Sequence, residues 1–404
     1  MEQGEQASVT QMELNPQGQT SHPAETIALD QTKPEEVYVA PRNSTELQLT
    51  KIWEQLLDIE PISARDNFFE LGGDSLLALR LFTQIEQTFG KNLSLATLLQ
   101  APTVEQLASV LDRETESAAW ISLVPIQPDG DKPPLFCVHG NGANVLAFQH
   151  LVRHLGSEQP FYGLQARGVD GKQEPLWRIE DMAAAYIKEV RTLQPQGPYF
   201  LGGFSSGGLV AFEMARQLQQ QGEKVAFLGL LDTFVPSSFK PVPFRQRLSR
   251  HWRNLFRFGP KHPLKMIKKS YLRAYSRTSC KFYQSLGLAW FDWPPQVKRR
   301  YVTICIRRAV KTYVPQVYSG KVTLFRANEP PMGWYYYGRD FPTPDDWYDR
   351  DPQHGWGDLA AGGLEIYDVA GNHGSMLKEI HVGSLTEKLR ACLERAEADE
   401  REVA

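Results

Sequence analysis

The chain of 404 residues has a formal net charge of −3 at pH 7 and 42% hydrophobic residues, values typical of a globular protein with room for two or three domains. That charge argues against a nucleic-acid-binding protein, no stretch reaches the ~18 apolar residues of a membrane span, and the polar start lacks the features of a secretory signal. The four cysteines (Cys137, Cys280, Cys305 and Cys392) show neither metal-ligand spacing nor a disulfide framework, so we expect a cytoplasmic protein without a metal site.

The first part of the chain predicts a polar tail followed by a small helical bundle. Residues 1–38 are rich in Gln, Glu, Ser, Thr and Pro, and we expect them to be disordered. Over residues 39–112 apolar side chains recur at helical spacing in three segments. The last segment opens with Thr103-Val104-Glu105-Gln106, which has the pattern of a capping box. Residues 113–120 are predicted to be a linker.

From residue 121 to residue 397 the apolar pattern alternates between strands and helices. Strands are predicted at 120–125, 135–138, 161–164, 199–201, 225–231, 321–327 and 364–369, and helices at 145–155, 182–193 and 209–221. This alternation indicates an α/β fold in which helices cover both faces of a parallel sheet. The pattern is interrupted between 233 and 316 by a stretch of helical character, which we interpret as an insertion.

One short stretch of the helical bundle has the character of a modification site. Gly72 and Gly73 have no side chains, so the backbone is accessible and conformationally free at this point. The second predicted helix begins directly afterwards, at Asp74-Ser75. A phosphodiester on Ser75 would lie at a helix N-terminus, where the helix dipole and the free N–H groups favour negative charge. The structural alternative is that Asp74 or Ser75 only caps the helix.

The stretch NFFELGGDSLLA, residues 67–78, resembles the attachment site of the peptidyl carrier family, and the resemblance extends over roughly residues 39–112. An acidic composition fits that family, with ten acidic and four basic residues between Ser44 and Asp112. The resemblance implies that a phosphopantetheinyl transferase attaches 4'-phosphopantetheine to Ser75, which then carries an acyl group.

A second serine lies in a reactive setting. Gly203-Phe204-Ser205-Ser206-Gly207 stands between a predicted strand and a predicted helix, where a sharp turn exposes the Ser205 hydroxyl. A serine needs a base to become a nucleophile. Asp232 ends a later strand and His373 follows the last strand, which is the chain order of a Ser–Asp–His triad. Taken singly, Asp232 is equally a turn former and His373 a loop residue.

Two backbone N–H groups are expected to form an oxyanion hole beside this triad. One belongs to Ser206, next to the nucleophile, and the other to Asn141, in the loop after strand 135–138. His139 in the same loop is interpreted as a structural residue rather than a catalytic base. The histidines without a motif are interpreted as structural or surface residues; they are His150, His154, His354 and His381.

From about Ile121 to Leu393 the chain resembles the α/β-hydrolase thioesterase domains that end nonribosomal peptide and polyketide assembly lines. The matching stretches are LVPIQP (123–128), LFCVH (135–139), GGFS (202–205), LLD (230–232), GW (355–356), GGLE (362–365) and HGSML (373–377). The resemblance implies transfer of an acyl or peptidyl chain from Ser75 to Ser205 and its release by hydrolysis or cyclisation. Ser206 departs from that family, which often has Phe, Met or Leu at this position.

No adenylation or condensation region precedes the carrier in this sequence, so we expect upstream synthetase modules or a loading enzyme to charge Ser75 in trans. Two other functions stay open. One is an editing thioesterase or acyltransferase that acts on other carriers. The other is a non-catalytic scaffold that presents an acyl group.

The insertion at 233–316 stands where the resembling family carries its lid, an element that excludes water. Between Lys240 and Lys311 it contains 19 Lys or Arg and a single acid, Asp292. The charge has three interpretations: a solvated helical face, contact with an anionic membrane surface, or a docking surface for the acidic carrier. The basic residues proposed for docking are Arg299, Arg300, Arg307 and Arg308.

Overall fold

The computed structural model describes residues 38–91, 93, 95–113, 122–171, 173–238, 278–329 and 351–403. The predicted disordered tail, apart from Tyr38, lies outside the described residues. The same applies to the predicted linker after Arg113 and to residues 239–277 of the predicted insertion.

The first described segment forms the predicted helical bundle. Its helices are α1 Ser44–Leu57, α2 Ser75–Phe89, α3 Thr97–Gln100 and α4 Val104–Asp112. The predicted capping box is present at α4, where Thr103 and Gln106 each bond to the other's backbone N–H. Trp53 and Phe68 meet edge to face in the centre, with 5.1 Å between their ring centroids. The four-residue α3 was not predicted, because it is shorter than the repeat that identifies a helix.

A seven-stranded sheet follows, in the order β1-β3-β2-β4-β5-β6-β7. Its strands are β1 Leu123–Gln127, β2 Leu135–Val138, β3 Phe161–Leu164, β4 Tyr199–Phe204, β5 Val225–Leu231, β6 Val322–Ala327 and β7 Leu364–Val369. All pairs from β3 to β7 are parallel, as the alternation predicted. The exception is β1, which pairs with β3 antiparallel. The short connection between β1 and β2 has no room for the crossover helix that a parallel strand requires.

Helices cover both faces of this sheet. On one face α6 Ile179–Leu193 and α7 Ser206–Gln220 contribute to the larger apolar core. On the other face α5 Gln149–Leu155 and α9 Glu379–Val403 contribute to the second core. The α9 helix was not predicted, and it continues past the predicted domain end at 397. Together the layers form the expected α/β-hydrolase architecture, which follows the helical bundle in the chain.

The described part of the insertion is helical, as its pattern predicted. Residues 278–285 form one helical segment, and α8 Pro295–Thr312 forms a second. The apolar side of α8, which includes Val302 and Ile306, is buried in the larger core. In the part of the chain that the structure describes, no helix is both long enough and apolar enough to cross a bilayer.

The end of α8 is joined to α7 by a buried polar cluster. The Tyr313 hydroxyl donates a 2.9 Å hydrogen bond to Glu213 Oε2. Arg216 and Gln217 also donate to the Glu213 carboxylate. Burial raises the pKa of Glu213, but these hydrogen bonds outweigh burial and hold the pKa below its usual value. The charged carboxylate thereby ties the insertion to the helix that follows the predicted nucleophile.

The helical bundle packs directly against the hydrolase domain. Leu146, in the 3-10 turn Leu146–Phe148, is a member of the bundle's own core. In return Ala96 and Leu99 of the bundle pack with the core under α5 and α9. The charges of Glu86 on α2 and Arg299 on α8 also act on each other. Burial lowers the pKa of Arg299, and the negative charge of Glu86 opposes that effect.

Candidate active site

The predicted nucleophile, Ser205, lies at the turn between β4 and α7. Its backbone dihedrals are φ 56° and ψ −120°, a conformation that non-glycine residues adopt only under strain. Neither flanking glycine could be replaced by a larger residue, because backbone atoms occupy the space of a side chain. A Cβ on Gly203 would lie 2.3 Å from the Gly207 carbonyl oxygen, and a Cβ on Gly207 would lie 2.2 Å from that of His139. Close packing of strand and helix, which the motif predicted, therefore presents the Ser205 side chain.

The three residues of the predicted triad meet at this turn. Ser205 Oγ lies 3.0 Å from His373 Nε2, and His373 Nδ1 lies 2.7 Å from Asp232 Oδ2. The ionised carboxylate can only accept, so Nδ1 carries the ring proton and Nε2 accepts the hydrogen bond from Ser205. The arrangement is suited to moving a proton from the serine to the imidazole.

Asp232 is fully buried at the end of β5. Its second oxygen, Oδ1, accepts a 3.1 Å hydrogen bond from the Ala327 N–H at the end of β6. Burial raises the pKa of Asp232, but the hydrogen bond and charge of His373, the charge of His354 and the Ala327 N–H hold it below its ordinary value. Both carboxylate oxygens are therefore engaged, and the group faces His373 as an anion.

His373 is held by its loop and by a ring contact. Gly374 N–H donates to Asn372 Oδ1 at 3.0 Å, and Asn372 N–H donates to Ser375 Oγ at 2.9 Å. One face of the imidazole stacks on Phe204, with 5.0 Å between the ring centroids. The motif did not predict this role for Phe204, because the Gly-x-Ser pattern accepts any residue at that position.

The loop after β2 contains the predicted oxyanion residue Asn141. Ala143 N–H closes a turn on the Gly140 carbonyl at 3.0 Å. His139 supports the same carbonyl, since its Nδ1–H donates to Gly140 at 2.6 Å while its Nε2 accepts from the Tyr186 hydroxyl at 3.1 Å. Burial lowers the pKa of His139 to about 4, so the ring is neutral at pH 7. This agrees with its interpretation as a structural residue.

Two backbone N–H groups near the predicted nucleophile have no acceptor among the described residues. They belong to Ser206, the first residue of α7, and to Asn141; neither donates to a group in the described part of the chain. Both residues also carry a solvent-shielded side-chain oxygen that has no hydrogen-bond partner in the described part of the chain, Ser206 Oγ and Asn141 Oδ1. The N-terminus of α7 adds positive potential at this point.

Another buried segment lies beside Asp232; its Gly355-Trp356 pair is part of the sequence resemblance, but its place next to Asp232 was not predicted. His354 is fully buried, and its ring stacks on Phe234 with 3.7 Å between the centroids. Trp356 donates a 2.9 Å hydrogen bond from Nε1 to the Thr233 carbonyl. The other histidines without a motif lie nearer the surface, and His150 and His154 contact Glu379 at 2.9 Å and 3.0 Å.

The predicted modification site has a geometry that fits a phosphodiester. Ser75 is the first residue of the 15-residue α2, and Asp74 caps the helix by accepting a 2.9 Å hydrogen bond from the Leu77 N–H. Gly72 has φ +88°, which favours glycine, and a Cβ on Gly73 would lie 2.3 Å from the Phe68 ring. A phosphate on Ser75 would meet the free N–H groups at the start of this helix.

Comparison with known proteins identifies two families along the chain. Residues 48–111 match the phosphopantetheine attachment site family, and residues 133–247 match the thioesterase domain family. The dimodular nonribosomal peptide synthase of Bacillus subtilis (strain 168) is 44% identical over 202 residues, which are 50% of this chain and 8% of that protein. Chondramide synthase cmdD of Chondromyces crocatus is 31% identical over 380 residues, which are 88% of this chain and 9% of that protein. The chain thus spans under a tenth of either relative.

A solved structure gives the same result. The holo form of a four-domain nonribosomal peptide synthetase bound to AMP and glycine matches 88% of this chain and 26% of its own, with 27% identity and a TM-score of 0.51. The chain is therefore a phosphopantetheine carrier domain joined to a serine-hydrolase thioesterase domain, homologous to the carboxyl-terminal regions of nonribosomal peptide synthetases.

Proposed function

We propose that this protein accepts an acyl or peptidyl chain as a thioester on the arm of Ser75, transfers it to Ser205 and releases it. The proposal rests on two hydrogen bonds in the thioesterase domain, one between Ser205 and His373 and one between His373 and Asp232. Phosphopantetheine, when attached to Ser75, supplies a terminal thiol on a flexible arm that holds the acyl group as a thioester.

In the first half of the reaction Ser205 Oγ attacks the thioester carbonyl carbon, and His373 Nε2 takes the hydroxyl proton. Asp232 stabilises the imidazolium that forms. The N–H groups of Ser206 and Asn141 donate to the oxyanion. When the C–S bond breaks, His373 returns its proton to the departing sulfur, and the acyl group stays on Ser205 as an ester.

In the second half a new nucleophile attacks the Ser205 ester while His373 takes its proton. Water gives a free acid, an amine or hydroxyl of the same chain gives a ring, and an external one gives an amide or ester. The C–O bond to Ser205 then breaks, and His373 returns the proton to Ser205 Oγ. One triad therefore serves every mode of release.

The packing between the two domains supports transfer from the protein's own carrier. Leu146 follows shortly after the oxyanion loop and is buried in the carrier core. Glu86 of the carrier acts electrostatically on Arg299 and on Lys298 of the lid helix α8. Carrier residues thus pack against the turn that follows the loop holding Asn141, and the charge of Glu86 acts on the lid helix. This favours docking over a purely solvated basic face.

We assign two kinds of partner to this site. A phosphopantetheinyl transferase modifies Ser75, and a synthetase module supplies the acyl group. The cysteines are unpaired and buried (Cys137, Cys280, Cys305 and Cys392), which supports a reducing compartment such as the cytoplasm.

The test is an acyl-loading experiment followed by intact-protein mass. A phosphopantetheinyl transferase transfers acyl-phosphopantetheine from acyl-coenzyme A to Ser75, and the loss of acyl mass is recorded with time. Wild-type protein is expected to lose the acyl group, and Ser205→Ala to retain it. The exposed Ser157→Ala is the matched control and should behave as wild type. Loss at the wild-type rate from Ser205→Ala contradicts the mechanism, and loading of Ser75→Ala contradicts the assignment of Ser75.

A further inference from the structure

The backbone at Asp232 is strained, so the position of its carboxylate depends on contacts with other parts of the chain. Asp232 has φ 45°, in the left-handed region that residues other than glycine rarely adopt. Such a conformation persists only where surrounding contacts fix it. One contact comes from β6, where the Phe325 carbonyl accepts the Asp232 N–H at 2.8 Å. The residues that follow, 233–235, are held by a different segment.

That segment is the turn at residues 351–356, which makes two hydrogen bonds with the loop after β5. Trp356 Nε1–H donates to the Thr233 carbonyl at 2.9 Å, and the Val235 N–H donates to the His354 carbonyl at 2.9 Å. His354 and Trp356 are both fully buried, so water does not compete for these bonds. A shift of this loop would move the proposed acid, because that residue directly precedes Thr233.

Asp351 keeps the turn in its shape. Its Oδ1 accepts the Gln353 N–H at 3.0 Å, and its Oδ2 accepts the Gly355 N–H at 2.7 Å. These bonds fix a strained segment, since His354 has φ 52° and Gly355 has φ 85°. Asp351 itself is exposed, so its side chain can be replaced without opening the buried core.

The turn is also joined to the elements on either side of the loop after β5. The Trp356 ring packs on Phe212 of α7, the helix that follows the proposed nucleophile, with 4.7 Å between the centroids. On β6, Arg326 Nη1 donates to the Pro352 carbonyl at 2.7 Å. Arg326 directly precedes Ala327, whose N–H bonds the carboxylate of the proposed acid. The turn therefore connects α7, β6 and the loop of the acid.

We propose that the 351–356 turn holds the Asp232 carboxylate in the position from which it orients His373. Its positioning residues are Trp356, which acts through the loop after β5, and Asp351, which fixes the shape of the turn. This inference rests on the proposed function, in which the imidazole takes the serine proton while bonded to Asp232.

The labelling of Ser205 by an alkyl fluorophosphonate, followed by intact mass, tests the role of Trp356. The limiting rate at saturating reagent depends on the base that takes the serine proton, whereas the half-saturating concentration reports binding. Trp356→Phe keeps an aromatic ring but lacks the N–H that bonds Thr233. We expect its limiting rate to fall ~10-fold while the half-saturating concentration stays near the wild-type value, because only the alignment of the reacting groups is lost.

A double-mutant cycle with Asp232→Asn separates positioning from a general loss of packing. If Trp356 acts through the carboxylate, adding Trp356→Phe to Asp232→Asn should slow labelling by less than ~2-fold, because residues that act as one unit have non-additive effects. An equal slowing in both backgrounds overturns the inference, and so does a wild-type rate in Trp356→Phe alone.

Two further variants complete the test. Trp293→Phe is the matched control, because it removes a comparable hydrogen bond, from Nε1 to the Leu288 carbonyl at 3.2 Å, at a site outside the turn. It should label at the wild-type rate, and a slowing equal to that of Trp356→Phe would overturn the inference. If Trp356→Phe does not fold, Asp351→Ala takes its place in the cycle. The conservative Asp351→Asn, which keeps one acceptor oxygen, should label faster than Asp351→Ala.

The cycle also distinguishes this inference from the proposed function. If Asp232→Asn slows labelling but the effect of Trp356→Phe is the same in both backgrounds, the inference fails and the function stands. If Asp232→Asn labels Ser205 as fast as the wild type, Asp232 does not orient the base, and both fail.

Discussion

The rings of Phe204 and His373 stack with 5.0 Å between their centroids and 24° between their planes. Phe204 is the residue just before the proposed nucleophile, so the proposed base packs on the strand that leads to that serine. The same ring borders the loop of the proposed oxyanion residue Asn141, because a Cβ on Gly140 would lie 2.8 Å from Phe204 Cδ1. One aromatic side chain thereby touches two parts of the proposed catalytic apparatus.

Replacement of Phe204 should therefore impair catalysis more than binding. In Phe204→Leu the imidazole loses the flat surface that restrains it, and we expect kcat to fall ~10-fold, with a smaller change in KM, because alignment of reacting groups is lost. Steady-state hydrolysis of a thioester substrate measures this. Phe200→Leu, which replaces a buried aromatic ring on the same strand by a smaller side chain, is the matched control for lost packing. An equal fall of kcat in both variants would contradict a positioning role for Phe204.

Asp232→Asn should leave the fold in place and suppress the reaction. Without the carboxylate, His373 loses both its tautomer preference and the charge that stabilises its cation. We expect kcat to fall on the order of 10³- to 10⁴-fold. Single-turnover release from loaded Ser75, with far-UV circular dichroism as a check on folding, measures the effect. A folded variant that keeps more than a tenth of the wild-type rate would argue that another group orients His373.

The same carboxylate predicts a pH dependence of stability. The folded-state pKa of Asp232 is lowered, so its stabilising contribution is present above the unfolded pKa of ~3.9 and is lost as the pH falls through the folded value. Below pH ~4 the free energy of unfolding should thus fall more steeply for the wild type than for Asp232→Asn. Urea unfolding at a series of pH values checks this. Parallel curves for the two proteins would show that Asp232 titrates alike in both states.

Charge exchange between the domains tests the docking surface. Glu86→Lys and Arg299→Glu should each slow transfer from Ser75, and the double variant should recover much of the loss, because the pair is restored with its signs reversed. Rising salt should reduce the difference between these variants. Glu60→Lys, an exposed carrier substitution, is the control. Unaltered transfer in both single variants would show that Glu86 and Arg299 do not take part in docking.

Replacing Tyr313, in the polar cluster around Glu213 at the end of α8, should lower stability without changing the reactivity of Ser205. In Tyr313→Phe the buried Glu213 loses one of its donors, and we expect the free energy of unfolding to fall by ~1–3 kcal/mol. Labelling of Ser205 by a fluorophosphonate at saturating reagent should stay at the wild-type level. Urea unfolding measures the first quantity. A variant as stable as the wild type would mean that Arg216 and Gln217 satisfy Glu213 without the tyrosine.

The residues that sequence could locate are those whose position follows from strand order. Asp232 and His373 were predicted because each directly follows a strand of the parallel sheet, and the carboxyl ends of parallel strands meet at one edge. Ser205 was predicted because its glycines leave a recognisable pattern. Their contacts agree with these predictions, while the catalytic roles stay proposals.

Other features depend on contacts that no local pattern encodes. The stack of Phe204 on His373 and the place of His354 beside Asp232 join residues that are far apart in the chain. The antiparallel direction of β1 depends on the length of its connection rather than on its own composition. The sharing of Leu146 between domains could not be predicted either, because a buried leucine near the start of a helix is expected in any core.

Leu146 also has a consequence for the exchange of domains between synthetases. A boundary placed in the linker before β1 separates the two domains in the sequence but divides a shared core. Leu146 then belongs to the hydrolase part, whereas the residues that bury it belong to the carrier part. A foreign carrier fused at that point would bring its own surface against an exposed leucine. Chimaeras should therefore be built with the carrier residues around Leu146 grafted together with the Leu146–Phe148 turn.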